Sequence, residues 1–285
     1  MELRSLGLAT DLALIATRGR VVDRGDYLVA ITPDDPGYYY GSMLVLPGPP
    51  QAGELAFALE RFAREIAVDP AVRHVTLCWD GVTGAAGAAG EMIAAGFTLD
   101  TTHVMTAHAH AVRAAHAVPA PRDIELRPLA PDELARAAEL AFALGDRPHE
   151  AYRQFLHRRA AWQRDLVTRG VARFWGAFED QTLAGSLGLV TLVGLVGRGR
   201  GGAAALPRGI DRIGRYQDVQ TAPSHRRRGI AAALLAVAAG DAITAGIEQL
   251  VIRTVSGSEA ERVYERTGFR TIERTVSACR EPAIT

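Results

Sequence analysis

Two spacings of apolar residues alternate along the chain. Between positions 54 and 67 they recur every three to four residues, at Leu55, Leu59, Phe62 and Ile66, which predicts a helix with one buried face. Short β-branched or aromatic runs at 27–32, 39–46 and 72–79 predict strands. The second of these ends at Pro47-Gly48-Pro49-Pro50. A short helix is expected over 6–16 and another over 85–95, after which Gly96-Phe97 leads into a strand reaching 106. Residues 108–122 hold His108, His110, His116, Pro119 and Pro121 and read as a linker.

Beyond that linker the order resumes. Strands are expected at 124–127, 172–178, 183–192, 215–221, 249–255 and 270–277, with helices at 131–144, 150–168, 229–245 and 259–266. Pro131 falls in a first helical turn, where its missing N–H costs nothing. Residues 194–209 form a glycine- and arginine-rich loop long enough to suggest function. Both halves close on the same order of strand, helix, strand, helix, Gly-Phe and strand, ending at Gly96-Phe97 and at Gly268-Phe269. The expected architecture is therefore α/β of the α+β kind: two copies of one fold, 1–118 and 119–285, each a mixed, mostly antiparallel sheet flanked by helices.

Composition narrows the function. The 285 residues are 48% hydrophobic with formal net charge +0, so a large core is available and a general nucleic-acid surface is disfavoured. Cys78 and Cys279 sit in apolar surroundings and read as buried thiols, with a disulfide left open. No basic-then-apolar signal opens the chain, and the uncharged run from 182 to 197 is too short and glycine-rich to span a bilayer. A soluble, cytoplasmic protein is the expectation. His108 and His110 lack a nearby carboxylate or cysteine partner, so no metal site is expected.

One stretch stands apart: Gln217 to Thr221, then Ala222-Pro223-Ser224-His225, then Arg226-Arg227-Arg228-Gly229-Ile230-Ala231 at the head of an alanine-rich helix. Cations at a helix N-terminus oppose the macrodipole. Their presence makes sense if an anion rests there on the free amides of the first turn, with Gly229 allowing close approach. The alternative is a solvated basic helix start.

Arg226-x-x-Gly229-x-Ala231, with Pro223 just upstream, resembles the pyrophosphate-binding signature of the GNAT superfamily of acetyl-CoA-dependent N-acyltransferases. The resemblance extends over 124–277, where Ala260-x-x-x-Tyr264-x-x-x-Gly268-Phe269 matches the family's passage from helix to final strand. It implies that Arg226, Arg227, Arg228, Gly229, Ile230 and Ala231 hold the diphosphate of acetyl-CoA. It further implies that strand residues Val219 and Thr221 meet the pantetheine and thioester, Val219 N–H binding the thioester oxygen, and that Tyr264 protonates the departing thiolate. The plain alternative for Tyr264 is a packing tyrosine. The family often has an asparagine seven residues before this tyrosine; Gly257 stands there instead.

Amine attack needs a base, and Asp218 is the one carboxylate of its strand. Alternation places it opposite Arg215 and Gln217 unless a bulge shifts the parity. A water chain is an equal candidate, and a salt bridge of Asp218 with Arg215 or Arg226 is the structural alternative. The first half has prolines where the phosphate loop belongs and Met92 in the place of Tyr264, so it reads as a degenerate copy without coenzyme. Tyr38, Tyr39, Tyr40, Trp79 and Asp80 could line a groove between lobes or simply pack.

The leading expectation is an acetyl-CoA-dependent N-acetyltransferase acting by direct transfer on a small-molecule or peptide amine. It needs no metal, nucleic acid or membrane, and a homodimer is compatible with it. A coenzyme A-binding sensor or scaffold with little catalysis is the rival. The identity of the amine is not legible.

Overall fold

The computed structural model describes residues 1–115, 121–145, 149–192 and 212–282. The loop expected at 194–209, His116 and Pro119 fall outside the described residues. Within them, the chain builds one 11-stranded sheet. In chain order the elements are α1 (Leu6–Ile15), β1 (Arg20–Asp23), β2 (Leu28–Ile31), β3 (Met43–Leu46), α2 (Leu55–Glu65), β4 (Val75–Trp79), α3 (Ala89–Ala94), β5 (Thr98–His108) and α4 (Ala109–Ala115). The second half follows with β6 (Glu125–Pro128), α5 (Leu134–Leu144), α6 (Glu150–Thr168), β7 (Ala172–Glu179), β8 (Thr182–Thr191), β9 (Ile213–Thr221), α7 (Ile230–Thr244), β10 (Gln249–Val255), α8 (Glu259–Arg266) and β11 (Arg270–Arg280).

The sheet runs β1-β2-β3-β4-β11-β5-β10-β9-β8-β7-β6 and is mostly antiparallel; β3 with β4 and β9 with β10 are parallel. Each half donates its last strand to the other. β5 lies between β10 and β11, and β11 lies between β4 and β5. The two lobes are thus joined through a single hydrogen-bonded ladder.

Three apolar clusters cover the sheet. One packs α1 against α5 and α6 through Leu8, Leu12, Leu134, Leu156 and Leu166. A second sets α7 on Tyr216, Leu250, Ile252 and Phe269, with Ala109 and Val112 of α4 joining it. The third closes α2 and α3 over the first lobe through Phe62, Trp79 and Met92. Residues 109–115, expected to be linker, are therefore helix. Ala109 and Val112 are fully buried, and that apolar contact with the second cluster holds the turn in place.

Cys78 and Cys279 are buried free thiols, and burial pushes the Cys78 pKa up to about 12. Among the described residues, no helix is long and apolar enough to cross a membrane, and no group of acidic, histidine or cysteine side chains could hold a metal ion. His108 and His110 stack on each other with ring centroids 5.6 Å apart.

Candidate active site

The chemistry gathers where β9 and β10 part. Their parallel pairing covers Gln249 with Ile213, Leu250 with Gly214 and Val251 with Arg215, and there it stops. β10 continues along β5 as far as Val255, and β9 continues along β8 as far as Thr221. The strands open into a wedge whose vertex is Arg215.

A bulge interrupts β9 at the mouth of this wedge. Gly188 of β8 faces Gln217 and Ser186 faces Gln220, so Asp218 and Val219 together oppose Leu187. Asp218 takes a left-handed φ of 50°, uncommon for a non-glycine residue. The bulge answers the parity question: Asp218 turns to the α6 face, accepting a hydrogen bond from Gln163 Nε2 and pairing with Arg159. Arg215 faces the same side, reaching Asp11 on α1. The salt bridge of Asp218 is thus with Arg159. Val219 has no Cα partner in the β8 register, and the β10 pairing ends four residues earlier at Arg215, so Val219 stands at the mouth of the wedge.

From Thr221 the chain passes through a 3-10 turn, Pro223–His225, into α7. Gly229 is the N-cap at φ 79°, and no side chain caps the first turn. A Cβ there would meet nothing within 4 Å, so conformation, not space, calls for glycine. The amides at the head of α7 are therefore left for a ligand, as an anion cradle requires.

The three arginines divide. Arg226 is exposed, its Nε 3.5 Å from the Thr221 carbonyl, and Arg227 is exposed at φ 62°. Arg228 turns inward to Asp123 at 2.6 Å and Glu179 at 2.8 Å, which raises its pKa through the Glu179 hydrogen bond. His225 Nε2 meets the other Glu179 oxygen at 3.0 Å. Arg228 thereby braces the loop while Arg226 and Arg227 face outward. Ile230 is buried under the helix start and Ala231 is partly exposed.

Tyr264 approaches from α8. Its ring packs edge-on against Phe269 with centroids 6.2 Å apart, and among the described residues its hydroxyl has no hydrogen-bond partner. Burial pushes its pKa up to about 12, with the Arg215 charge acting the other way. Gly257, in the place of the family asparagine, holds φ 77°, and its N–H donates to Glu261 at 2.7 Å. Glu261 is in turn bonded to His103 of β5, so the exchanged strand steadies α8.

The first lobe has no such site. β3 and β4 stay paired to Leu46 and Trp79, and Asp80 N–H donates to the Leu46 carbonyl at 2.9 Å beyond them. Met92, where the second lobe has Tyr264, is fully buried. A surface groove of about 530 Å³ along Leu46 to Pro50, Phe57 and Arg61 lies on this lobe, away from the wedge.

Of the aromatic residues expected near a groove, Tyr38 does reach the junction of lobes. Its pKa is raised by burial among Arg159, Arg18, Asp218 and Arg215. The others have structural partners. Tyr39 stacks on His74, Tyr40 donates to Asp100, Trp79 donates to the Ala85 carbonyl, and Asp80 receives Arg4 and Ser5 N–H. Sequence reasoning missed Asp11, Arg253 and Arg159, whose partners lie far along the chain.

Residues 143–279 match a family model described as Acetyltransferase (GNAT) domain. No curated protein matches the chain in sequence. Among solved structures, a conserved protein of unknown function from Staphylococcus epidermidis ATCC 12228 superposes with TM-score 0.70 at 10% identity, covering 93% of this chain and 94% of that one. A GCN5-related N-acetyltransferase from Kribbella flavida gives TM-score 0.62 at 16% identity, with coverage of 98% and 96%. A tandem GNAT protein from the clavulanic acid biosynthesis pathway gives 0.53 at 14%, with coverage of 98% and 94%. Identities this low speak for the fold alone.

Proposed function

We propose, from the match of residues 143–279 to the GNAT acetyltransferase domain and from the fold that the chain shares with a tandem GNAT protein, that the second lobe, within 119–285, moves an acetyl group from acetyl-CoA directly to a primary amine. The observation that supports the reading is that β9 leads from a bulge at Asp218 and Val219, past the end of its pairing with β10, into the uncapped head of α7, while Tyr264, packed in the same apolar cluster as Ile230, has no hydroxyl partner among the described residues.

The residues fit the coenzyme. The α7 amides, Gly229, Ile230 and Ala231, with outward Arg226 and Arg227, would hold its diphosphate, Arg228 fixing the loop behind them. Thr221 and Val219 would border the pantetheine arm. When bound, acetyl-CoA supplies an activated acyl carbon. Val219 N–H then acts as a fixed donor to developing negative charge on the acyl oxygen, a role worth a few kcal/mol in comparable sites. Tyr264 stays protonated at neutral pH and gives its proton to the thiolate.

Asp218 is already engaged by Arg159 and Gln163. Its part is to hold α6 over the bulge, while the amine proton leaves through water beside it. The first lobe, 1–118, contributes α1 and Tyr38 to the acceptor side and binds no coenzyme of its own.

The test is thiol release from acetyl-CoA with a panel of primary amines, with products identified by mass spectrometry. Acetylated amine formed in step with free thiol is the expected result. Tight acetyl-CoA binding with no amine-dependent thiol release would establish a sensor instead.

A further inference from the structure

We propose that the acceptor is an amine bearing a carboxylate, bound by Arg215 and Arg253 in the cleft where the two lobes meet. The inference rests on the acyl-transfer reading, since it names the acceptor chemistry of the same site.

Arg215 is 5% exposed at the vertex of the wedge. Its Nη2 donates to Asp11 Oδ1 at 3.2 Å, while Nε and Nη1, both buried, meet no acceptor among the described residues. Arg253, on β10, donates from Nη1 to the other oxygen of Asp11 and from Nη2 to Thr275 Oγ1 at 3.2 Å; its Nε is buried without an acceptor. Two guanidinium groups thus share one carboxylate. Buried donors are rarely left unpaired, and charged ones least of all. Arg215 and Arg253 together have donors to spare for a ligand rich in lone pairs.

The charge balance says which ligand. Arg159, Arg215 and Arg253 face Asp11 and Asp218 across the cleft. Glu273 also acts on Arg253, but its oxygens accept from Ser5 Oγ, Leu6 N and Gly7 N, at the positive end of α1. Arg18, on the far side of Tyr38, shares Asp35 with Arg158, so that with Glu273 counted the five guanidinium groups Arg18, Arg158, Arg159, Arg215 and Arg253 stand against the four carboxylates Asp11, Asp35, Asp218 and Glu273. One positive charge is left over. A single carboxylate neutralises it, whereas a phosphate dianion would leave an excess negative charge in a partly buried site.

The cleft is open. The side chains of Asp11, Arg253, Arg159 and Asp218 keep 22%, 24%, 29% and 26% of their exposure around the buried Arg215. Tyr38 of the first lobe and Phe155 of α6, with ring centroids 5.8 Å apart, wall one side. Arg215 is also close enough to act electrostatically on Tyr264. A carboxylate at the vertex therefore places the amine of the same molecule toward the bulge at Val219, an orientation that raises effective concentration at the reacting centre.

The experiment is calorimetry on the full chain, free and saturated with coenzyme A, using a panel of N-acetyl amino acids, each paired with its carboxamide. The acids are expected to bind at least tenfold more tightly than their amides. Arg253→Gln, which retains the partly exposed site, is expected to remove most of that difference without altering acetyl-CoA affinity. Arg215→Lys, which keeps the charge, should retain part of it. Equal binding of acid and amide in every pair, or discrimination that survives Arg253→Gln, overturns the proposal. Because the readout is binding, a failure of acyl transfer, seen as absent thiol release, is distinguishable from a failure of carboxylate recognition.

Discussion

Replacing Tyr264 by phenylalanine removes one oxygen from the wedge and little else. The ring contact with Phe269 survives, and the lost hydroxyl had no protein partner among the described residues. Stability should therefore change by less than about 1 kcal/mol, the scale of one net hydrogen bond. Catalysis should respond differently. A positioned general acid contributes about 10²–10⁴-fold. With its pKa raised to about 12, Tyr264 is a poor acid beside a thiol of ordinary pKa, about 8.5. The lower end applies, so kcat should fall about a hundredfold, or roughly 2.7 kcal/mol of barrier. Thiol-release kinetics give kcat, calorimetry gives acetyl-CoA affinity, and thermal unfolding gives stability; only the first should move. The sign of the pH dependence follows from burial. A tyrosine whose pKa is raised keeps its proton between pH 7 and 10, so wild-type kcat should show no decline near pH 10 from this group. Unchanged kcat in the variant at every pH would remove Tyr264 from the mechanism.

Other outcomes follow from the same geometry. Asp11→Ala leaves two inward guanidinium groups without their shared carboxylate, and should cost about 3 kcal/mol in urea unfolding, the lower end for a broken buried pair. Glu133, whose pKa is lowered to about 2 by Arg127 and the Ala130 N–H, stabilises the fold above its ordinary pKa and loses that contribution as pH falls from about 4.5 toward 2. Glu133→Gln should flatten the acid limb of the stability profile in that window, as read from urea midpoints. Residues 119–285 expressed alone would lack β5, exposing the edges of both β10 and β11; aggregation and loss of acetyl-CoA binding are expected. A monomeric, ligand-binding fragment would show that the strand exchange is dispensable.

Much of this arrangement was legible in the residues because local physics determined it. The 19-residue helix Glu150–Thr168 appears with the expected ends, whereas Gly229, expected to serve close approach of an anion, is called for by its left-handed backbone just ahead of α7. The exchange of β5 and β11 was not legible. A period-two pattern says which face of a strand is buried but not which strand lies beside it. The face of Asp218 turned on one bulge residue, invisible to alternation. The Asp11 cluster joins residues 204 and 242 positions apart, and no local signal links them. Strand β1, four residues at the sheet edge, was too short to register as a pattern.

The central claim is that the head of α7, with Arg226 in front of it, binds the coenzyme diphosphate. Calorimetric titration of acetyl-CoA into the wild-type chain and into Arg226→Glu tests it most directly. The account predicts binding by the wild type and at least a tenfold loss in the variant, while the same affinity in both would contradict it.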